Sequence, residues 1–183
     1  MKELSLNILD IAENSVKARA NLTEIIIDET ESRLSITIRD DGCGMDRKTL
    51  AGVTDPFYTT RTTRNVGMGI PLLKLAAEQA GGEFRIESRS ENEYPDSHGT
   101  SVTAGFDKNN IDFTPLGDVV SSVTTLIQGH PECDFSFIHN TAHGSVNLDT
   151  REIKDVLEDV PINSYEVIKW IEDNLRSQYS EIN

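Results

Sequence analysis

The amino-acid sequence predicts an α/β (α+β) two-layer sandwich: helices cover one face of a mixed, mostly antiparallel sheet, and a small α/β extension follows. Leu22–Asp28 and Arg33–Asp40 are expected to be strands joined by a polar turn. In the second strand Leu34, Ile36 and Ile38 alternate with polar residues, which is typical of a half-buried strand. Segments on either side carry the three- and four-residue apolar spacing of helices that bury one face.

The other elements of the first half follow from caps, breakers and periodicity. The expected elements are a helix at 4–19, a short helix to Ala51, a helix at Ile70–Ala80, and paired strands at Glu83–Arg89 and Thr100–Phe106. Asp46 is the expected N-cap of the short helix, and Gly81-Gly82 should end the helix at Ile70–Ala80. Residues 52–68 show neither period, and a long irregular stretch in a compact domain is often a functional lid.

The second half begins after a break at Asp107–Pro115, which predicts a first domain at 1–107 and a small α/β domain at 108–183. The expected elements there are a helix at Leu116–Gln128, strands at Asp134–His139 and Ser145–Leu148, and helices at 150–158 and 164–178. Asp149 and Asn163 each precede a Glu by three residues, the pattern of a capping box. The second domain is expected to bind a partner.

Charge and cysteine content exclude several classes of function. The 183 residues carry a formal net charge of −14, which disfavours nucleic acid and anionic membrane surfaces as partners. An acidic protein that binds an anionic nucleotide needs local devices such as helix N-termini and a metal ion. Cys43 and Cys133 form no metal-binding pattern, and no signal peptide or membrane span is visible. We therefore expect reduced thiols and a cytoplasmic protein.

The first motif that carries chemistry is Asp10-x-x-x-Asn14 on the opening helix. A spacing of four places both side chains on one helix face, with Glu13 and Lys17 within reach. The amide oxygen of Asn14 is a reasonable Mg²⁺ ligand beside phosphates and water, and Asp10 could polarise a water molecule. A solvated polar face explains the same pattern, so this motif alone is a weak indication.

The second motif is Asp40-Asp41-Gly42-Cys43-Gly44-Met45, at the end of a predicted strand. Asp40 continues the buried alternation and should point to the core side, where an unpaired carboxylate is costly. The exocyclic amine of adenine is a donor that fits it. Gly42 and Gly44 would let the backbone approach a ligand closely, although a plain turn explains Asp-Gly equally well.

Two further motifs flank the irregular stretch. In Asp55-Pro56-Phe57-Tyr58-Thr59-Thr60-Arg61 the aromatic residues could anchor a lid. The candidates there for binding the nucleotide are Phe57, Thr59, Thr60 and Arg61. In Val66-Gly67-Met68-Gly69-Ile70-Pro71 the glycines lead into a helix N-terminus, where free amides favour an anion, with Gly67, Met68, Gly69 and Ile70 as candidates.

Together the four motifs resemble the N, G1, F and G2 boxes of the GHKL (Bergerat-fold) ATPase superfamily. This superfamily includes histidine kinases, gyrase-type topoisomerases, MutL-type mismatch-repair proteins and heat-shock chaperones. His98-Gly99-Thr100-Ser101-Val102 resembles the last element of the histidine-kinase set, and the resemblance covers roughly residues 1–107. It implies that ATP and Mg²⁺ bind. By resemblance, Asp40 would bond adenine N6, Gly44 and Met45 would line the base, Asn14 would hold Mg²⁺, Thr100 would support the base through water, and Gly67 and Gly69 would wrap the phosphates.

The chain departs from the histidine-kinase pattern in two respects. All four histidines, His98, His130, His139 and His143, lie downstream of the first motif, so the usual accepting His is missing, and the last two are expected to be exposed turn residues. Asp10 stands where hydrolysing members have Glu; it is shorter by about 1.5 Å, a misplacement that can lower a rate about 10²-fold. Glu13 is an alternative base, but it is rotated by about 100° from Asn14 on the helix.

These observations leave two functions open. One is an ATP-Mg²⁺-binding, histidine-kinase-like protein that transfers the γ-phosphate to an unidentified partner protein, or hydrolyses ATP slowly. The other is a non-catalytic, ATP-dependent regulatory switch. Chains of this class often form homodimers, although the sequence indicates no particular interface. Trp170 shares a helical spacing with Val167, Ile171 and Leu175 and is expected in the core.

Overall fold

The structure is a computed structural model that describes residues 3–55 and 68–182. Its helices are α1 (Leu4–Lys17), α2 (Arg47–Gly52), α3 (Gly69–Gln79), α4 (Val119–Gly129), α5 (Thr150–Leu157) and α6 (Tyr165–Ile182). Its strands are β1 (Leu22–Glu29), β2 (Arg33–Asp40), β3 (Phe84–Arg89), β4 (Gly99–Asp107), β5 (Asp134–Thr141) and β6 (Gly144–Asp149). Among the helices described, none combines the length and apolar character needed to cross a membrane.

The strands form one six-stranded sheet in the order β3-β4-β2-β1-β5-β6. All neighbouring strands are antiparallel except β1 and β5, which run parallel. The predicted fold class, a mixed and mostly antiparallel sheet with helices packed on it, is confirmed.

The core lies between the helices and one face of the sheet. Leu34, Ile36 and Ile38 of β2 are buried as the alternation predicts, and Ile25 and Ile27 of β1 lie beside them. The buried faces of α1, α3, α4 and α6 complete the same apolar cluster. The same alternation directs the side chain of Asp40, the last residue of β2, toward the helices.

The C-terminal half shares this sheet and this core. Strand β5 pairs with β1 through seven residue pairs from Leu22↔Asp134 to Asp28↔Asn140. The start of α1 is bonded to the connection before α4: the N–H of Leu4 donates to the carbonyl of Pro115 at 2.9 Å. The strands of residues 108–183 thus extend the sheet formed by the first half of the chain. The division into two domains at residue 107 stays a prediction.

Three expectations for the second half were wrong. Helix α6 begins at Tyr165, so Asn163 is not its N-cap. The side chain of Trp170 is 55% exposed, because only Val167, Ile171 and Leu175 of α6 face the core. His139 was expected at an exposed turn, but β5 continues beyond it to Thr141 and buries it.

His139 is held in a polar cluster at the end of β1. Its Nδ1 lies 2.7 Å from the Tyr179 hydroxyl and its Nε2 lies 3.0 Å from a Glu29 carboxylate oxygen. The Nζ of Lys108 donates to the other oxygen of Glu29 at 2.6 Å. Burial lowers the pKa of His139, while its contact with Glu29 opposes that shift.

Candidate functional site

The centre of the site is the Asp40 carboxylate at the end of β2. Its Oδ1 accepts the backbone N–H of Gly42 at 2.9 Å and that of Thr100 at 3.2 Å. Its Oδ2 accepts the Ser15 hydroxyl at 2.8 Å. The β2–β4 register sets Thr100 directly opposite Asp40, and the buried face of α1 supplies Ser15. Two strands and a helix therefore meet at this carboxylate.

The electrostatic environment of Asp40 is unusual for a structural carboxylate. Burial raises the pKa of Asp40 above its ordinary value, the three hydrogen bonds oppose that shift, and neighbouring Asp41 adds to it. Within residues 3–55 and 68–182, no basic side chain forms an ion pair with Asp40. A carboxylate offers about four acceptor positions, and groups in the described part of the chain fill three of them. One position on Oδ2 is left for a donor.

The loop after Asp40 has no space for larger residues at its glycines. Gly44 has φ +64°, and a Cβ placed there would lie 1.9 Å from the Arg89 carbonyl oxygen. At Gly42 a Cβ would lie 2.8 Å from the Cβ of Ala18 on the segment after α1. The loop is thus bound tightly between the end of α1 and the end of β3, with its backbone bordering the site.

Two serines that the sequence analysis missed hold this arrangement. Ser15 lies on the buried face of α1, and a hydroxyl on such a face is a signal that it binds a partner. Ser88 on β3 accepts the N–H of Met45 at 2.8 Å, and its hydroxyl lies 2.8 Å from the Thr100 hydroxyl. Thr100 therefore connects Asp40 to Ser88, and Ser88 connects both to Met45.

Asp41 and His98 fix the outer side of the same loop. One oxygen of Asp41 accepts the N–H of Asn21 at 2.7 Å and that of Leu22 at 2.9 Å, at the start of β1. The Nδ1 of His98 lies 2.6 Å from the carbonyl oxygen of Gly42. Asp41 is thereby a structural residue, in contrast to Asp40 beside it.

The predicted polar face of α1 lies next to the start of α3. Asp10 and Lys17 are exposed and Asn14 is half-buried, one position before Ser15. A Cβ on Gly69, the first residue of α3, would lie 3.0 Å from the Cβ of Asp10. The close approach at Gly69 therefore places the N-terminal amides of α3 beside Asp10.

Glu13 has a different neighbourhood. Its Oε1 lies 2.8 Å from Nε2 of His130, in the connection between α4 and β5. Glu13 is therefore directed at the C-terminal half of the chain, away from the face that carries Asp10 and Asn14.

The other predicted residues of the site divide into two groups. Met68 is exposed just before α3, whereas the side chain of Ile70 is buried in the core, so only its backbone is free to border the site. Phe57, Thr59, Thr60, Arg61 and Gly67 lie outside the residues that the structure describes.

The described residues contain no group of three or more His, Cys, Asp or Glu side chains able to hold a metal ion. On the polar face of α1, Asn14 and Asp10 are the described residues that were predicted at the site and offer an oxygen ligand to a metal ion. Such a donor set suits a Mg²⁺ ion that keeps most of its ligands from water and a bound phosphate. The residues present fit a metal that arrives with its ligand.

Comparison with known proteins supports the same kind of site. Residues 2–110 match the family described as histidine kinase-, DNA gyrase B-, and HSP90-like ATPase. The chain is 31% identical over 88 residues to the signal transduction histidine-protein kinase AtoS of Escherichia coli, a match that covers 48% of this chain and 14% of that protein. It is 30% identical over 88 residues to sporulation kinase E of Bacillus subtilis, covering 48% of this chain and 12% of that kinase. The chain thus spans a small part of the length of these relatives.

Solved structures show the same fold. The Aquifex aeolicus MutL ATPase domain complexed with ADP matches with a TM-score of 0.56 at 15% identity, covering 86% of this chain and 70% of that one. The N-terminal domain of a DNA repair protein matches with a TM-score of 0.59 at 18% identity, covering 88% of this chain and 59% of that one. The matched family spans more than half of this chain, and the chain therefore belongs to the histidine kinase-, DNA gyrase B- and HSP90-like ATPases.

Proposed function

We propose that this protein binds ATP-Mg²⁺ through Asp40 and passes the γ-phosphate to a partner protein, or releases it slowly to water. The observation that supports this most is the acceptor position left on Oδ2 of Asp40, beside three filled ones. A buried carboxylate without a cationic partner is suited to a neutral donor, and the exocyclic amine of adenine is one.

The loop after Asp40 provides the rest of the base-binding surface. Because Gly42 and Gly44 carry no side chain, the loop packs tightly against Ala18 and Arg89, and its backbone is held beside Asp40. Met45, which is half-buried and held by Ser88, would line the base. Thr100 supports the pocket indirectly, because its N–H and its hydroxyl are bonded to Asp40 and Ser88.

The phosphates would lie between α1 and α3. The N-terminal amides of α3 begin at Gly69, beside Asp10, and free amides at a helix N-terminus favour an anion. Asn14 would supply one Mg²⁺ ligand, with phosphate and water oxygens as the others. Mg²⁺ would offset part of the phosphate charge, which a chain with a net charge of −14 otherwise repels.

Transfer to a protein is inferred from the kinase names of the relatives. The matched region is only about a seventh of their length, so the acceptor and the signal that controls the reaction belong to the proposal. We assign partner binding to residues 108–183, where Val156, Tyr165 and Trp170 are exposed. The two free thiols, Cys43 and Cys133, favour a reducing compartment such as the cytoplasm.

A second candidate is an ATP-dependent switch with little turnover. This candidate is favoured because neither acidic residue near the expected attacking water is well suited to act as a base. Glu13 is engaged by His130, and Asp10 has the shorter side chain where hydrolysing relatives carry Glu. Nucleotide binding would then control how the C-terminal half engages another protein, with little ATP hydrolysis or phosphate transfer.

Incubation with γ-labelled ATP-Mg²⁺ separates these candidates when Asp10→Asn and Glu13→Gln are compared with the wild type. Glu13→Gln is the matched control, because a glutamine can keep the contact with His130. Phosphate release or transfer that is lost in Asp10→Asn, with binding intact, supports the enzyme with Asp10 as base. Binding without release or transfer in the wild type supports the switch. Failure of the wild type to bind ATP would contradict both.

A further inference from the structure

The two edges of the sheet differ in how they are protected. At β6 the side-chain amide of Gln178 closes the edge: its Oε1 accepts the N–H of Asn147 at 2.9 Å, and its Nε2 donates to the Asn147 carbonyl at 3.0 Å. At the opposite edge, β3 has β4 on one side and no second strand among the described residues. Unprotected edges readily pair with another strand.

The hydrogen-bond pattern identifies the free groups of β3. Glu83 and Gly105 exchange both backbone hydrogen bonds, at 3.2 and 2.8 Å. The register continues without interruption to Arg89↔Gly99, and bonded pairs alternate along an antiparallel ladder. Phe84, Ile86 and Ser88 therefore direct their N–H and C=O groups away from β4. Within the described part of the chain none of these backbone groups has a hydrogen-bond partner.

The side chains on the outer face of β3 form a self-complementary series. They alternate in charge as Glu83, Arg85, Glu87 and Arg89. When two copies of β3 pair antiparallel around a two-fold axis at Ile86, Arg85 lies opposite Glu87 of the second copy. Glu83 then lies opposite Arg89 of the second copy, so each charge meets its opposite.

The neighbouring registers lack this match. Moving the axis to Glu87 sets that residue opposite its own copy and Arg85 opposite Arg89. Moving it to Arg85 sets two arginines together and Glu83 opposite Glu87. Like charges directly opposite each other destabilise a strand pair, whereas opposite charges stabilise it. Charge therefore favours the register centred on Ile86 over these two neighbouring registers.

A cavity lies beside this edge. It has a volume of about 380 Å³, and the consecutive residues Ile86 to Ser90 line it, so it runs along the edge of the strand. Its apolar wall includes Met45, Leu50 and Tyr94. In the register centred on Ile86, the backbone of Phe84 of the second copy lies opposite Ser88 and beside this cavity, while its side chain stays packed on the core of its own chain.

We propose that two copies of this chain pair edge to edge through β3, around a two-fold axis at Ile86, and join their sheets into one. The outward backbone groups of Phe84, Ile86 and Ser88 would bond to the second copy. The four charge pairs would fix the register.

Sedimentation equilibrium tests this dimer through charge reversal. Arg85→Glu and Glu87→Arg each turn two symmetry-related pairs repulsive, so each should raise the dimer dissociation constant about tenfold. The double variant Arg85→Glu/Glu87→Arg restores every opposite pair and should restore the wild-type constant. The two side chains are 74% and 64% exposed, so the variants should fold. Lys169→Glu, on α6, is the control with the same change of net charge as Arg85→Glu.

Three results would overturn the proposal. The first is a wild type that stays monomeric up to about 1 mM. The second is a dimer that neither reversal weakens. The third is a weakened dimer that the double variant fails to restore. The register has its own test: in a Cys43→Ser background, Ile86→Cys should form an interchain disulfide, because bonded opposite residues lie about 5.5 Å apart. Ser145→Cys on the opposite edge should not, and a failure of Ile86→Cys to cross-link would contradict the axis at Ile86.

Discussion

Asp40→Asn is expected to weaken nucleotide binding while the fold survives. The amide oxygen of the new side chain can accept from the N–H groups of Gly42 and Thr100, as Oδ1 does now. The amide nitrogen then takes the place of Oδ2 and donates to the Ser15 hydroxyl, which can accept as well as donate. All three internal contacts are kept, while the open position changes from an acceptor to a donor.

The size of the effect follows from that change. The amine of adenine would meet a second donor, and a hydrogen bond to a charged group contributes roughly 1.5 to 3 kcal/mol, which corresponds to a loss of affinity of roughly 10- to 150-fold. Stability should move the other way. Burial raises the pKa of Asp40, so its charged form destabilises the fold as the pH rises through the interval between its unfolded and folded pKa values. The uncharged variant lacks this penalty at neutral pH.

Calorimetric titration with ATP-Mg²⁺ and thermal unfolding at pH 7, each measured on both proteins, check these two effects. Asp41→Asn is the matched control, because an amide oxygen can still accept from Asn21 and Leu22 and ATP affinity should not change. An Asp40→Asn variant with wild-type affinity would refute the assigned contact. A variant that unfolds well below the wild type would refute the proposed exchange of hydrogen bonds.

The remaining predictions concern the fold that supports the site. Gly44→Ala should lower the free energy of unfolding by more than about 3 kcal/mol in urea denaturation, because the new Cβ meets the Arg89 carbonyl at positive φ, whereas Gly129→Ala, with nothing within 4 Å, should have little effect. A chain of residues 1–107 should fail to give a dispersed amide NMR spectrum, because it exposes the β1 edge and core side chains that β5 and α4 cover; a well-dispersed spectrum would contradict this. Because burial lowers the pKa of His139, the wild type should lose stability as the pH falls below about 6.5, and His139→Gln should show a smaller loss in denaturation at about pH 5.5 than the wild type; an equal loss would contradict it.

The parts of the fold that depend on neighbouring residues were predictable. The alternation in Arg33–Asp40 located β2 and set Asp40 on the helix side, because the side-chain period of a strand is local. The N-cap at Asp46 was also correct, and its carboxylate accepts the N–H of Thr49 at 2.7 Å. Periodicity and caps act over a few residues, so they are visible in the sequence.

The contacts that complete the site join distant parts of the chain. Ser15 and Asp40 are 25 residues apart, and Glu13 and His130 are 117 apart, so no local pattern indicates either pair. The burial of His139 depends on β5 lying beside β1 and on α6 returning to cover it. These contacts follow from the topology of the sheet, which the sequence pattern did not specify.

The sequence of β1 carries a signal of its central position in the sheet. Ile25-Ile26-Ile27 is a continuous apolar run, whereas the neighbouring β2 alternates. Such runs are typical of central, often parallel, strands covered on both sides. β1 does lie centrally, between β2 and parallel β5, but its outer face is less covered: Ile26 is half-buried, whereas Ile25 and Ile27 are buried.

The central claim is that Asp40 holds the 6-amino group of a purine nucleotide. Calorimetric titration of the wild-type protein with ATP-Mg²⁺ and, separately, with ITP-Mg²⁺ tests it most directly, because inosine carries an oxygen acceptor in place of that amine. The account predicts saturable binding of ATP and an affinity for ITP that is weaker by at least about tenfold. Equal affinities for the two nucleotides, or no saturable binding of ATP, would contradict it.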